Sequence, residues 1–391
     1  MAEELPRQFD FRAQRPVKVG ILMDLIMPQP GTFDVRRDLV DGLTMGFEEA
    51  RAKGILDRPV ELVYREVDGL PRGDARSIVD CLRELVETEG CLIILGPATS
   101  ESSYVVREYL EQVRVPAITW AGTDDFLGEW TFSMSLGSLP DEPIQLANVV
   151  AQHGYRRVAV VYERYRVGHD DLHYFRQGCG YAGLEIVTEV PYSPSSDNAD
   201  VVAALQASAP DAVVSLVRQL VGRSAIGSLD FNAALERAGW SDVPRYVTTA
   251  WTNGWLDDTI FDRYRGWIGL EQWDEANLLG VAVLDRFEAR FGRRPGYSVP
   301  GYAWDVANVM SRALGAAFPL TPAGVKDALE RIKLLPAASG APGTCVSFGK
   351  WTRRGWMGAG YMVARTAEPG VVATRFSGRV GPWRSPSIGS S

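Results

Sequence analysis

The stretch His169-Asp-Asp-Leu-His173 sets two histidines four residues apart, on one face of a helix, with an acid between them. Zinc peptidases hold their metal with that spacing, and a glutamate in the intervening position activates the bound water. Here the acid is the shorter Asp170, and the one other histidine, His153, precedes the pair, so a third ligand would have to be a distant carboxylate. The plainer reading is a solvated helix face. A metal-dependent hydrolase is therefore the third-ranked function, with no catalytic residue, metal ligand or cofactor assigned. Other catalytic signatures fit less well. Gly222-Arg-Ser-Ala-Ile-Gly227 has its second glycine one residue too late for a nucleophile elbow. No Gly-x-Gly-x-x-Gly follows the first apolar run, and no Gly-Lys-Ser/Thr phosphate loop occurs.

Two loops suit binding better than bond-breaking. The run Cys91–Leu95 stops at Gly-Pro-Ala-Thr99-Ser100, and the run Val115–Thr119 stops at Trp120-Ala121-Gly122-Thr123. In an open α/β sheet, ligands sit outside the carboxyl ends of the strands. Small residues there leave backbone N–H groups and a helix N-terminus bare, which suits an anion or a polar head group. The alternative, that Thr99 and Ser100 only cap a helix, is compatible with that role. Of the 39 aromatic residues (11 Trp, 14 Tyr, 14 Phe), most are core filler, but Trp120 and Trp251 fall at strand ends, where a ligand would lie.

The elements around these loops repeat. Apolar runs at 17–25, 60–68, 91–96 and 115–121 alternate with amphipathic helical stretches at 36–54, 74–90 and 101–114, the pattern of a doubly wound parallel sheet. The alternation restarts with helices at 143–154, 169–183, 198–209 and 227–240 and strands at 156–163, 184–192, 210–217 and 244–251. Two α/β halves, 17–138 and 139–250, thus stand in series without a residue-level repeat. The remainder supplies three helices and hairpin-like strands, too little for a third α/β domain.

At 391 residues, two domains are expected. The net charge of −8, from 49 acidic and 41 basic residues without long blocks, argues against nucleic acid and anionic membranes. No run of 18 apolar residues exists to span a bilayer. The start has no apolar secretory segment, so the chain as written is expected in the cytoplasm, or outside it if a signal has been removed. Cys81, Cys91, Cys179 and Cys345 show no metal spacing and are expected as free thiols.

Taken together, several stretches resemble the type I periplasmic binding proteins, in particular the leucine/isoleucine/valine-binding branch, over about 17–365. Asp41-Gly-Leu-Thr-Met-Gly-Phe-Glu-Glu-Ala-Arg resembles the family's first helix, and the turn after it carries Asp57 in place of the usual glycine. Ile94-Leu-Gly-Pro-Ala-Thr-Ser-Glu-Ser-Ser, Val115-Pro-Ala-Ile-Thr-Trp-Ala-Gly-Thr and Gly301-Tyr-Ala-Trp-Asp-Val-Ala are similar to its strand ends and to a late helix. The resemblance implies two doubly wound lobes joined by three crossovers, closing on a ligand between them: 15–138 with 251–333, and 139–250 with 334–375, followed by a disordered tail at 376–391. It implies that Ser100 takes a ligand carboxylate and that Ala121 and Thr123 hold an amino-acid head. Two positions depart from the family. Val167 stands where an aromatic is usual, and Trp251 or a neighbour stands where an acid pairs with the ligand ammonium. Glu163 or Glu271 would have to supply that charge, since a buried ammonium needs pairing. The expected ligand is thus a carboxylate- or amide-bearing solute with an apolar or aromatic body. The implied role is the solute-binding component of an ABC transporter, a monomer or weak dimer meeting a permease. The alternative is a cytoplasmic small-molecule sensor of the same fold, similar to the amide sensor of amidase operons.

Overall fold

A computed structural model describes residues 15–25, 35–70, 72–193, 195–217, 231–249, 266–295, 298–357, 361–367 and 374–379. The first unit contains β1 (Val17–Met23), α1 (Val35–Ala52), β2 (Val60–Glu66), α2 (Ala75–Arg83), β3 (Ile93–Leu95), α3 (Ser100–Val113), β4 (Ala117–Thr119) and β5 (Thr131–Ser133). Its five strands lie parallel in the order β2-β1-β3-β4-β5. Val19, Ile21, Leu22 and Met23 of β1 are all buried, as an unbroken apolar run covered on both faces requires.

The second unit contains α4 (Asp141–Gln152), β6 (Arg157–Glu163), α5 (Arg166–Ala182), β7 (Glu185–Tyr192), α6 (Asn198–Ala207), β8 (Ala212–Leu216), α7 (Phe231–Arg237), β9 (Arg245–Val247) and β10 (Trp267–Glu271). The chain continues through α8 (Leu278–Phe291), α9 (Val299–Ala316), α10 (Pro322–Glu330), β11 (Leu335–Pro336), β12 (Cys345–Val346), β13 (Trp356–Met357), β14 (Val363–Ala367) and β15 (Thr374–Arg379). The second sheet runs β15-β14-β10-β9-β8-β6-β7, and β11-β12-β13 form a small third sheet. A parallel sheet and a mixed one, parallel from β7 to β10 and antiparallel at β14 and β15, stand in series and match the expected α/β class.

Three stretches sit differently from the sequence reading. Residues 267–271, grouped there with the first lobe, form β10 beside β9 in the second sheet, because a buried apolar run continues the parallel ladder. Residues 345–357, grouped with the second lobe, attach to the edge of the first sheet: Ser133 donates its N–H to Arg353 O (2.9 Å) and accepts from Gly355 N (2.8 Å). Residues 376–379, expected as disordered tail, belong to β15, whose antiparallel ladder with β14 closes the second sheet. All four cysteines are free.

The packing of α9 on α1 starts at two glycines. Gly42 and Gly46 of α1 face Ala303 and Ala307 of α9 so closely that an added Cβ would stand 2.7 Å and 2.6 Å from the alanine methyls. With α9 seated this way, fully buried Asp305 accepts from Ala338 N (2.7 Å) and Ser339 N (2.8 Å). From the other side, the Asn277 amide nitrogen lies 3.1 to 3.4 Å from the carbonyl oxygens of Ala337, Ala338, Ser339 and Gly340.

Burial pushes the Asp305 carboxyl up to about 7, against the downward pull of its two N–H donors. An unfolded aspartate titrates near 3.8, so between about pH 4 and 7 the folded chain holds a proton that the unfolded chain has released. That contribution to stability is complete at the acid end and is lost as pH rises through about 7. Urea titrations should show the stability advantage of wild type over Asp305→Asn shrinking between about pH 5 and about pH 8. An advantage that stays constant would contradict this.

Candidate functional site

In each sheet, the strand order reverses direction at one place: between β1 and β3 in the first, and between β6 and β8 in the second. Crevices form at the carboxyl ends of strands at such points. Asp24 ends β1, Thr99 and Ser100 follow β3, and Glu163 ends β6. Thr99, Ser100 and Glu163 therefore stand at the topologically favoured positions, Ala121–Thr123 follow β4 one strand away, and Glu271 ends β10 two strands from β8.

The first of these positions is an ordered polar cluster. Buried Asp24 accepts from Ala98 N (2.5 Å), Thr99 N (3.2 Å) and the Thr99 hydroxyl (2.6 Å). Thr99 is the N-cap of α3, and its Oγ1 accepts from Ser102 N (3.3 Å). Two N–H groups that the sequence leaves bare are thus occupied by an internal carboxylate, which also suits the helix N-terminus. A third is occupied as well: Ala121 N donates to Thr119 Oγ1 (3.0 Å), while the Thr119 hydroxyl donates to Pro97 O (2.7 Å) and ties the two loops together. Ser100, the first residue of α3, is half-buried, and its side chain makes no hydrogen bond among the described residues. Thr123 is buried and caps a short 3₁₀ turn over Asp124–Phe126, accepting from Asp125 N (3.1 Å). Gly122 is wedged, since an added Cβ would lie 3.1 Å from both Gly137 O and Leu139 N.

One turn beyond Ser100, Tyr104 meets the second unit. The Arg166 guanidinium of α5 stacks 3.9 Å from the centroid of its ring and pairs with Asp125. The polar neighbours of the buried Tyr104 hydroxyl include Thr123 and Asp170, neither in standard hydrogen-bond geometry, and burial pushes that phenol up to about 12. Burial likewise raises the Asp170 carboxyl, with nearby Arg166 pulling it down. Asp170 of the His169–His173 stretch therefore faces this junction. The histidines themselves are exposed: the His169 ring meets Tyr162 edge-on, and His173 Nε2 lies 2.9 Å from the Gln177 amide.

The aromatic candidates divide. Trp120 is 6% exposed and stacks on Tyr302, with centroids 6.3 Å apart and planes inclined by 17°. The Trp120 Nε1 and the Tyr302 hydroxyl are both buried without a hydrogen-bond partner among the described residues. Trp251 lies outside the described residues. Val167 is buried near the start of α5, and Glu163 is buried where Gly168 packs onto its backbone. Glu271 has one oxygen 3.4 Å from the buried Arg365 guanidinium, and the other accepts from Ser298 N (3.1 Å). Those partners tie β10 to β14 and to the start of α9, a structural use of the charge. Sequence reasoning missed Asp24, Tyr104, Asp125 and Arg166. Asp24 was available to the strand-end rule, as the first charged residue after β1. Arg166 lacked any local signal, because its partners come from the other unit.

Two parallel α/β units, with polar strand ends at their switch points and contacts across the junction, define a bilobed binding protein. The comparisons narrow that class. The chain belongs to the periplasmic binding protein family, whose model matches residues 16–362. Among solved structures, it is similar to an ABC transporter substrate-binding protein from Sphaerobacter thermophilus (20% identity, TM-score 0.74, covering 95% of this chain and 99% of that one). It is also similar to one from Desulfitobacterium hafniense in complex with Leu (15% identity, TM-score 0.74, 93% and 100% covered). A solute-binding protein from R. palustris in complex with benzoate shares 16% identity at TM-score 0.68, with 95% and 98% covered. At these identities the likeness is one of fold. No curated protein sequence matches the chain.

Ser100→Ala should weaken solute binding by about 1–2 kcal/mol, the effect of leaving a head group unpaired, and should leave the melting temperature of the free protein unchanged. His173→Ala should alter neither. Titration calorimetry with the two variants checks the pair, and the reverse pattern would put the site elsewhere.

Proposed function

We propose that this protein is the solute-binding component of an ABC transporter, closing two lobes around a small solute by hinge motion and without a covalent step. The observation that carries this reading is the half-buried, unbonded Ser100 hydroxyl at the switch point of the first sheet, beside the Tyr104–Arg166 junction with the second unit. Its partner is then a membrane permease, and its place of work lies outside the cytoplasm, in keeping with its family. We take the lobes as 15–138 and 139–250 with the later segments divided between them, now with 267–271 in the second lobe and 345–357 against the first.

The solute is a small molecule bearing a carboxylate or amide on an apolar or aromatic body. Trp120 supports the body: its ring lies on Tyr302 and its free Nε1 offers a donor. Ser100, with Thr99, Ala121, Gly122 and Thr123 around it, receives the head group. Similar structures holding Leu and benzoate are consistent with a carboxylate head on an apolar body. Glu163 and Val167 would meet the body from the second lobe, and Trp251 is proposed as a second aromatic wall.

A thermal-shift panel of amino acids, amides and aromatic acids tests the reading. At least one should raise the melting temperature in a dose-dependent way, since a ligand that binds only the folded state stabilises it. A panel without any such response contradicts the proposed solute class.

A further inference from the structure

A groove of about 990 Å³ opens on the first unit, away from any residue assigned to the solute site. Lys326 and Glu330 of α10 line one wall, Glu129 the approach to β5, and Lys350, Trp351 and Arg353 the turn between β12 and β13. Its charges do not balance. Lys326 Nζ and Arg353 Nη1 approach the same Glu330 oxygen, at 2.9 Å and 2.8 Å. Both cationic side chains are about nine-tenths buried, 11% and 9% exposed, so two desolvated cations share one carboxylate. Burial works against the Glu330 charge, but the two cations outweigh it and hold that carboxyl below its ordinary range. Glu129 stands 3.6 Å from Lys326 but is 67% exposed, where solvent weakens its pull. Lys350 has no carboxylate partner among the described residues and lies 5.3 Å from the Trp351 ring centroid. The neighbouring Arg354 is held by two carboxylates, Asp124 (2.6 Å) and Asp141 (2.5 Å), that are not part of the groove's lining, so the excess positive charge is that of Lys326, Lys350 and Arg353 over Glu330 and Glu129.

Two buried rings back the cations of the groove. The Lys326 ammonium lies over Trp130 (5.4 Å), and the Arg353 guanidinium over Phe132 (4.5 Å). Trp351 is 88% exposed, so that apart from the Lys350 ammonium over its ring the indole is open to a guest. A carboxylate answers the excess positive charge and matches the planar edge of a guanidinium. A flat ring answers the free indole face, because offset aromatic pairs attract beyond the area they bury. We propose that this groove is a second, peripheral binding site for a small aromatic carboxylate, separate from the solute cleft. Glu330 sets the floor charge by holding Lys326 and Arg353 together, and Lys350 and Trp351 close over the ring.

The test reads the groove directly. In protein labelled with ¹⁵N at the tryptophan indoles, the Trp351 resonance is assigned by its loss in Trp351→Phe. Benzoate should move that resonance saturably, while uncharged benzamide and inorganic phosphate at equal concentration should not. Lys326→Gln and Lys350→Gln should each raise the benzoate concentration at half-saturation by at least about threefold, as expected when a charge-assisted contact is lost. Lys350 is exposed, so its variant remains informative if Lys326→Gln fails to fold. A Trp351 resonance that stays fixed, or that benzamide moves equally, overturns the proposal. An equal shift with phosphate reduces the groove to an adventitious ion site only, and also overturns it. Occupancy of the solute cleft is read from other indoles, so either site can fail without the other.

Discussion

The packing of α8 and α9 against the connection between β11 and β12 rests on how Ala337–Gly340 is held. Asp305 receives two consecutive N–H groups of this segment, and Asn277 lies against four consecutive carbonyls. Buried backbone groups must find partners, and here one carboxylate takes two N–H groups, one amide reaches the carbonyls, and Thr344 O and Gln272 O take the N–H groups of Ala337 and Gly340. The clamp depends on α9 sitting close to α1, which the glycines at 42 and 46 permit. A second tie works nearer the surface: Arg354 bridges Asp124 of the first unit and Asp141 at the start of α4.

Away from this clamp, the strand ends of the first unit carry its ordered polar cluster. Asp24 closes over the start of α3 and satisfies Ala98 N, Thr99 N and the Thr99 hydroxyl, so less free backbone remains there than small residues alone would leave. What remains open is the Ser100 hydroxyl and the unsatisfied groups on Trp120 and Tyr302. Unsatisfied buried donors are costly, at about 1–3 kcal/mol each, and such atoms are retained where a guest or water completes them. Arg166 reaches across the junction to Tyr104 and Asp125, a partly exposed contact of modest strength.

Much of this was legible in the sequence. Continuous apolar runs such as 17–25 and 91–96 announce strands covered on both faces, and their alternation with amphipathic stretches gives two doubly wound units. The stops at Thr99-Ser100 and Ala121-Gly122-Thr123 lead to strand ends by the same logic. Other features depend on contacts far apart in the chain. β10 reads as part of the later segment until its pairing with β9 is seen. The short strands β5 and β11–β13 carry too few residues for a period to show. Glu271 looks like a spare acid until Arg365, 94 positions on, is found beside it. Arg353 and Lys326 give no local hint that they share one oxygen of Glu330.

The central claim is that the carboxyl ends of the strands in the first unit receive a small solute, which the second unit covers. Hydrogen exchange read by mass spectrometry, with and without a solute that raises the melting temperature, tests it most directly. The account predicts slower exchange at 98–104 and 119–125, joined by 163–170 across the junction. Protection confined to other segments, with these three unchanged, would contradict it.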